Sequence, residues 1–233
     1  MSIDFGKIFG GKDDDGEIWD GEWPKFPESS SIEKLNKSIV FSGSKDFQGR
    51  GYRASDSNLG DGSQKEGQKP LFIVKGGEIK NVVIYDSGAD GIHFQGGSCK
   101  GRNLTYQDIG EDAFTQKCSH LFLEDIYGQH GADKFGQLNG PNSKGSFEFE
   151  INNFFIQDVG RGFRLNGGNN AKPHKAKIIL RNGVIRDADQ LIRNTLMDVD
   201  LYAENIDIVG VKKGFDMRSS DKVKLKNIRY YKS

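Results

Sequence analysis

The sequence predicts an all-β solenoid, a right-handed single-stranded parallel β-helix, on three observations. The first is a recurrence. Asn81 opens "NVVIYD", Asn103 "NLTYQD", Asp125 "DIYGQ", Asn153 "NFFIQD", Asn182 "NGVIRD", Asn205 "NIDIVG" and Asn227 "NIRYY", at steps of 22, 22, 28, 29, 23 and 22 residues. Sequence periods of this length mark a chain that winds into stacked coils. The second is the content of each repeat: two or three short β-like runs closed by Gly, Asn or Asp, residues that accept tight corners. The third is what the repeats lack, since neither a leucine ladder nor a helical half-turn is present to indicate a leucine-rich solenoid. In a parallel β-helix successive coils lie about 4.8 Å apart, so equivalent positions form ladders along the outside.

The elements follow in chain order. Residues 1–36 read as an N-terminal arm, partly flexible. It is a Gly/Asp-rich segment to Pro27, followed by "SSSIEKLNK", which predicts a short helix behind a serine cap. The acidic "DDDGE" within the arm lacks the later glutamate of a calcium loop and belongs to the arm. Residues 37–233 read as the β-helix. Asparagine at its repeated corner fits a left-handed backbone and bonds to its own chain. Phe154, Phe155, Tyr230 and Tyr231 are expected in the stacked core or over its end.

Composition bounds the function. A chain of 233 residues buries a substantial core, and its 31 glycines suit a turn-rich fold. Lys+Arg and Asp+Glu both total 33, so no bulk charge favours nucleic acid or an anionic membrane. No apolar run approaches the roughly 20 residues of a membrane span. The N-terminus lacks the basic start and apolar stretch of a signal peptide, so secretion by that route requires that a leader has been removed. Cys99 and Cys118, nineteen residues apart, are a bridge between neighbouring coils or two reduced thiols. With four histidines they match no zinc spacing.

The charged residues fall at one place in the repeat. "DGIH", "GEDAFTQK", "GADKFGQ", "GRGFRLN", "DQLIRNT" and "KGFDMRS" occupy equivalent positions. Asp90, Glu111, Asp112, Lys117, Lys134, Arg161, Arg164 and Arg193 are thereby expected on one face, acids on the earlier coils and cations on the later. Three carboxylates on adjacent coils form a hard, oxygen-rich cluster suited to Ca²⁺. The neighbouring cations suit an acidic polysaccharide, because arginine holds carboxylates bidentately. On a uronide, such a face fits β-elimination: a basic side chain removes the C5 proton while cations share the charge growing on the C6 carboxylate. His93 is expected to be a hydrogen-bonded structural residue. Arg193 and Arg218 extend the cationic column without a motif.

"EGQKPLFIV", "ADGIH", "DIGEDAFTQK", "GADKFGQLNG" and "NNFFIQDVGRGFR" together resemble the small pectate lyases of polysaccharide lyase family 3, from about Ser38 to the C-terminus. The resemblance implies a compact parallel β-helix and a calcium-dependent lyase acting on polygalacturonate outside the cell. It implies that Asp90, Glu111 and Asp112 are calcium ligands and that Lys117 is a functional lysine. Lys134 then corresponds to the proposed base and Arg164 to the active-site arginine, with Arg161 at a neighbouring basic position; Arg193, which matches no motif, is by its place in the column a substrate contact or a plain surface charge. Lysine has the lower intrinsic pKa, and nearby arginines and Ca²⁺ are expected to lower it further, which favours Lys134 as base and Arg164 as charge stabiliser. The chain departs from the pattern at Phe94, where a cysteine is usual, at "LNGGNN", where further cysteines are usual, and at Leu138, where histidine is common. The alternative is a β-helix that binds polysaccharide without cleaving it, as a module of a tail-fibre or effector protein. Retention of Lys134 and Arg164 favours the enzyme, because a binder needs no base.

Overall fold

The computed structural model describes residues 2–3, 18–55, 58–60, 68–86, 90–141, 145–165, 175–195 and 197–232. Eleven strands occur among them: β1 (Ser2–Ile3), β2 (Ile32–Leu35), β3 (Ile39–Ala54), β4 (Phe72–Asp86), β5 (Ile92–Tyr106), β6 (Asp112–Leu138), β7 (Ser146–Leu165), β8 (Lys175–Asn194), β9 (Asp198–Val209), β10 (Lys213–Asp216) and β11 (Lys222–Tyr231). From β2 to β11 every pairing between neighbouring coils is parallel. Only β1 runs antiparallel, against β10. The long strands are whole coils that bend at corners, and the architecture is a parallel β-helix.

The corners carry the repeat. Asn81, Asn103, Asp125, Asn153, Asn182, Asn205 and Asn227 all have φ between +49° and +57°. Asn and Asp tolerate this left-handed region better than other side chains with a Cβ. The asparagine amides also bond along the axis: Asn103 donates to Asn81 (2.9 Å), Asn205 to Asn182 (2.9 Å) and Asn227 to Asn205 (3.0 Å). Asn153 likewise donates to Asp125 (2.6 Å). A second left-handed corner stands five residues further on, at His130, Asp158, Asp187 and Gly210. Sequence reading misses it because a histidine, two aspartates and a glycine fill it, with no one side chain repeated throughout.

Between corners, inward residues stack into core columns. One runs Phe72, Ile92, Phe114 and, after the position of Gly136, Phe163, Ile192 and Phe215. Its phenylalanines are fully or almost fully buried. Gly136 is required there, because an added Cβ would stand 2.6 Å from the Phe114 ring and 2.9 Å from Phe163. Phe154 is buried in this core, as expected. Cys99 and Cys118 are both buried free thiols, so the two-thiol alternative is the one found.

The N-terminal segment differs from its expected form. "SSSIEKLNK" makes no helix; Ile32–Leu35 is strand β2, paired with Gly51–Ala54 of β3. Backbone pairing with the next coil satisfies the groups that a serine cap would otherwise have served, so tertiary context overrides the local signal. The first coil therefore begins within the segment read as an arm. Residues 18–31 lie along the outside of the solenoid as a strap. Ile18 bridges to Lys232 of the last coil. Trp19 Nε1 donates to Asp207 (3.3 Å), and Trp23 packs edge-on against Phe155 (5.9 Å). Phe26 meets Tyr127 (5.5 Å), and Ser29 N donates to Tyr85 Oη (2.6 Å) near the first coils. Gln157, Gln129 and Gln107 form a ladder under it, with bonds of 2.8 Å each, and Gln107 donates to Pro27 O (2.9 Å). Phe155 is thus not core but an outward ring stacked on Tyr127 at 5.8 Å and sealed by the strap. The "DDDGE" run, residues 13–17, lies outside the described residues. Among the described residues, no helix is long and apolar enough to cross a membrane.

The corner argument is checked at Asn205. Asn205→Ala should lose about 2 kcal/mol in chemical denaturation, from the left-handed backbone plus two ladder bonds. Asn205→Gly keeps the backbone freedom and should lose roughly half as much. Equal losses would assign the whole effect to the bonds.

Candidate active site

Two outward columns of one sheet face carry the charged residues. Backbone bonds from Gly91 N to Asp112 O (2.8 Å) and from Lys134 N to Glu111 O (3.3 Å) set Asp90, Asp112 and Lys134 side by side on successive coils. The column continues in register through Arg161, Gln190 and Lys213. The second column pairs His93 with Thr115, then Gln137 with Arg164, Arg193 and Asp216. Lys117 is in register with Gln95, two residues beyond Thr115 on the same outward side. Acids occupy the earlier coils and cations the later ones.

Asp90 and Asp112 are both buried, at 8% and 4% exposure. His93 Nε2 and Thr115 Oγ1 (3.0 Å) both bond to Asp90 Oδ2. Lys117 Nζ lies 3.3 Å from His93 Nδ1. An ammonium only donates, so Nδ1 accepts and Nε2 carries the proton directed at Asp90. His93 is therefore a structural link between Lys117 and Asp90, the role expected of it. Burial pushes the Asp112 carboxyl well above its ordinary value, and the adjacent Asp90 charge pushes in the same direction, against the partial relief from Lys134.

Lys134 is 4% exposed and stands between two acids. Its Nζ lies 2.9 Å from Asp112 Oδ1 and bonds to Asp133 Oδ2. Asp112 Oδ1 has this ion pair with Lys134 and no other polar partner. Burial alone would lower the lysine pKa; Asp112 and Asp133 outweigh it and hold the group above its ordinary value. This corrects the part of the expectation that rested on the arginines, and leaves the part that rested on Ca²⁺ as it stood. The nearest groups are carboxylates, not the arginines. Asp133, absent from the sequence reading, also holds Arg161 NH1 at 2.5 Å and so bridges lysine and arginine. Its signal was its place beside Lys134, one coil from Arg161.

Arg164 is half-buried, with Nε buried and without a partner. Arg193 stands beside it in register. Arg218 leaves the face and pairs with Asp198 (3.3 Å). Glu111 is half-buried next to Asp112. Among the described residues, no three His, Cys, Asp or Glu side chains converge as a metal cluster. The structure thus sets Asp90 beside Asp112 and does not draw Glu111 into the same cluster.

The fold and its acid-to-cation face define a parallel β-helix protein with one open charged face, and comparison gives the family. The pectate lyase family profile matches residues 23–200, and the chain belongs to the pectate lyase family. A probable pectate lyase F of Aspergillus terreus is 28% identical over 144 residues, 60% of this chain and 58% of that protein. Pectate lyase H of Emericella nidulans is 28% identical over 156 residues, 66% of this chain and 55% of that protein. The chain thus spans little more than half the length of these relatives. Pectate lyase PelI of Erwinia chrysanthemi shares the fold, with a TM-score of 0.62 at 19% identity over 90% of this chain and 72% of that one. PelI in complex with tetragalacturonic acid gives 0.63 at 17% identity, over 86% of this chain and 70% of that one.

The buried acid has a consequence for stability. A carboxyl whose folded pKa lies above its unfolded value weakens the fold as pH rises beyond the unfolded value, 3.8 for Asp112. In metal-free protein, Asp112→Asn should therefore raise Tm near pH 7, and the gain should shrink towards pH 4 as the wild-type carboxyl protonates. A lower Tm for the variant across this range would show that the contact with Lys134 outweighs the cost of burial.

Proposed function

We propose that this chain is a calcium-dependent pectate lyase that cleaves polygalacturonate by β-elimination. The observation that carries the proposal is Lys134, held on one open face between the buried acids Asp90 and Asp112 and the arginines Arg161 and Arg164. The family supports the reaction class, and the complex of PelI with tetragalacturonic acid supports an acidic galacturonan as substrate. The reading puts the activity outside the cell, where such a polymer lies.

The donor set fits a hard cation. Two buried carboxylates lie on adjacent coils, and one oxygen, Asp112 Oδ1, has no polar partner besides Lys134. Asp90 and Asp112 would hold Ca²⁺, and Glu111, half-buried beside Asp112, would have to turn towards them to join. When bound, the ion supplies positive charge for the C6 carboxylate of the substrate. Arg164, permanently charged, holds that carboxylate, while Arg161, Lys117 and Arg193 grip the chain and fix its register. Lys134 as neutral amine takes the proton from C5. The C5–H electrons become the C4–C5 double bond, the C4–O4 bond breaks, and solvent protonates the leaving oxygen. The cations stabilise the charge only as it grows, which is where binding accelerates chemistry.

The roles make unequal demands on three variants, read by the ultraviolet absorbance of the C4–C5 double bond. Lys134→Arg should lose nearly all turnover yet still bind oligogalacturonate, whereas Arg164→Lys should retain turnover with weaker binding. The opposite pattern exchanges the two roles. Asp133 helps hold the Lys134 pKa up, so Asp133→Asn should shift the alkaline rise of activity to lower pH. Calorimetry should show Ca²⁺ affinity lost in Asp112→Ala; unchanged affinity would place the ion elsewhere.

A further inference from the structure

Two buried groups take no part in the reacting centre: the thiols of Cys99 on β5 and Cys118 on β6, both almost wholly enclosed by the core. They lie on adjacent coils. Cys118 is in register with Gly96, whose left-handed backbone (φ 93°) turns the chain, and Cys99 follows that turn with its side chain inward. Each thiol has a main-chain acceptor, Gln95 O for Cys99 (3.3 Å) and His120 O for Cys118 (3.2 Å). The two sulfurs are also in hydrogen-bond contact with each other. That contact holds the Cys99 thiol below its ordinary pKa and, together with burial, pushes Cys118 above it.

The surrounding core makes a thiol at this place informative. From Cys99 the inward column runs on through Leu121, Phe149, Ile178 and Leu201, all buried. A large apolar side chain fills each of those four coils, and the small thiol stands on the coil where a second thiol reaches it. Stacked coils lie about 4.8 Å apart, within the Cα separations that a disulfide spans. These coils also have a cause to separate. Asp90 precedes β5 and Asp112 opens β6, so two buried acids stand side by side across the same junction and work against its stacking.

We propose that Cys99 and Cys118 are an oxidation site: in an oxidising medium they close a disulfide between the coils of β5 and β6, and the structure described above is the dithiol form. The proposal is independent of the reaction that the open face performs. Exchange with a small disulfide such as oxidised glutathione supplies the oxidant. One cysteine thiolate attacks a glutathione sulfur and releases the first glutathione; the other cysteine then attacks the mixed disulfide and releases the second. The two glutathione molecules carry off the two electrons and two protons that the protein thiols lose. Both sulfurs are sealed once the coils stack, so the exchange belongs to the folding chain, before β6 packs on β5. The bridge closes a short loop, nineteen residues from Cys99 to Cys118, and restricts the unfolded chain.

The experiment makes the full chain by cell-free synthesis twice, in a buffer of oxidised and reduced glutathione and in excess dithiothreitol. The glutathione product should be lighter by two hydrogens, offer no thiol to a thiol reagent in denaturant, and remain monomeric. Trypsin cuts after Lys80, Lys100, Lys117 and Lys134, so it should release residues 81–100 joined to residues 118–134. The Tm of this product should lie about 5–10 °C above that of the dithiothreitol product. The gap should vanish in the Cys99→Ala/Cys118→Ala double variant; where that variant fails to fold, the two wild-type melts decide alone. A chain that folds only with the bridge is the same result at its limit. Wild type that keeps both thiols in the glutathione buffer, or pairs them only between chains, overturns the proposal. So does a bridged product that melts no higher than the dithiol form, because the bridge then strains the stacking of the two coils.

Discussion

Everything in this structure depends on each coil turning at the same backbone angle at the same place. The left-handed corner does this, and the column from Asn81 to Asn227 repeats it seven times. A one-residue slip would move the Phe114–Phe163 column out to solvent and the charged column into the core, because side chains alternate along a strand. The longer steps respect the same constraint. The repeats of 28 and 29 residues place their additional length after Leu138 and after Leu165, between the site face and the next strand. The corners on either side of these segments stay in register.

The sequence made the fold legible where physics narrows the choice of residue. A left-handed corner admits few side chains with a Cβ, so asparagine recurs and the period can be read. The second corner obeys the same angle with His130, Asp158, Asp187 and Gly210, and is therefore silent in the text. The strap is silent for another reason. Trp19, Trp23 and Phe26 have no periodicity of their own, and their partners are outward residues on separate coils, Asp207, Phe155 and Tyr127. Strand β2 was misread because serine caps are local signals and its pairing with β3 is not.

The site was legible in its residue types and less so in its contacts. Asp90, Asp112, Lys134, Arg161, Arg164 and Arg193 stand at repeated positions, and stacking alone brings them to one face. Their contacts depend on which neighbour is closest. Lys134 meets Asp112 and Asp133 before any arginine, which reverses the expected direction of its pKa. Glu111 is adjacent to Asp112 in sequence, yet adjacency along a turning chain does not aim two side chains at one point.

The solenoid divides its outer surface between closure and exposure. On one side the rings of Tyr127 and Phe155 form an apolar stripe, and the strap covers it with two tryptophans and a phenylalanine. The glutamine ladder secures the strap to the coils, so that the half-buried amides there have partners. On another side the charged columns stay open. Buried acids side by side and an unpartnered Arg164 Nε work against folding, and a core of stacked phenylalanines supplies the compensation. Because Asp112, Lys134, Arg161, Arg164 and Arg193 sit on hydrogen-bonded strands, their arrangement cannot relax by backbone movement without breaking the ladder. The rigidity that stacks the core is therefore the same rigidity that holds carboxylates and cations ready for a ligand.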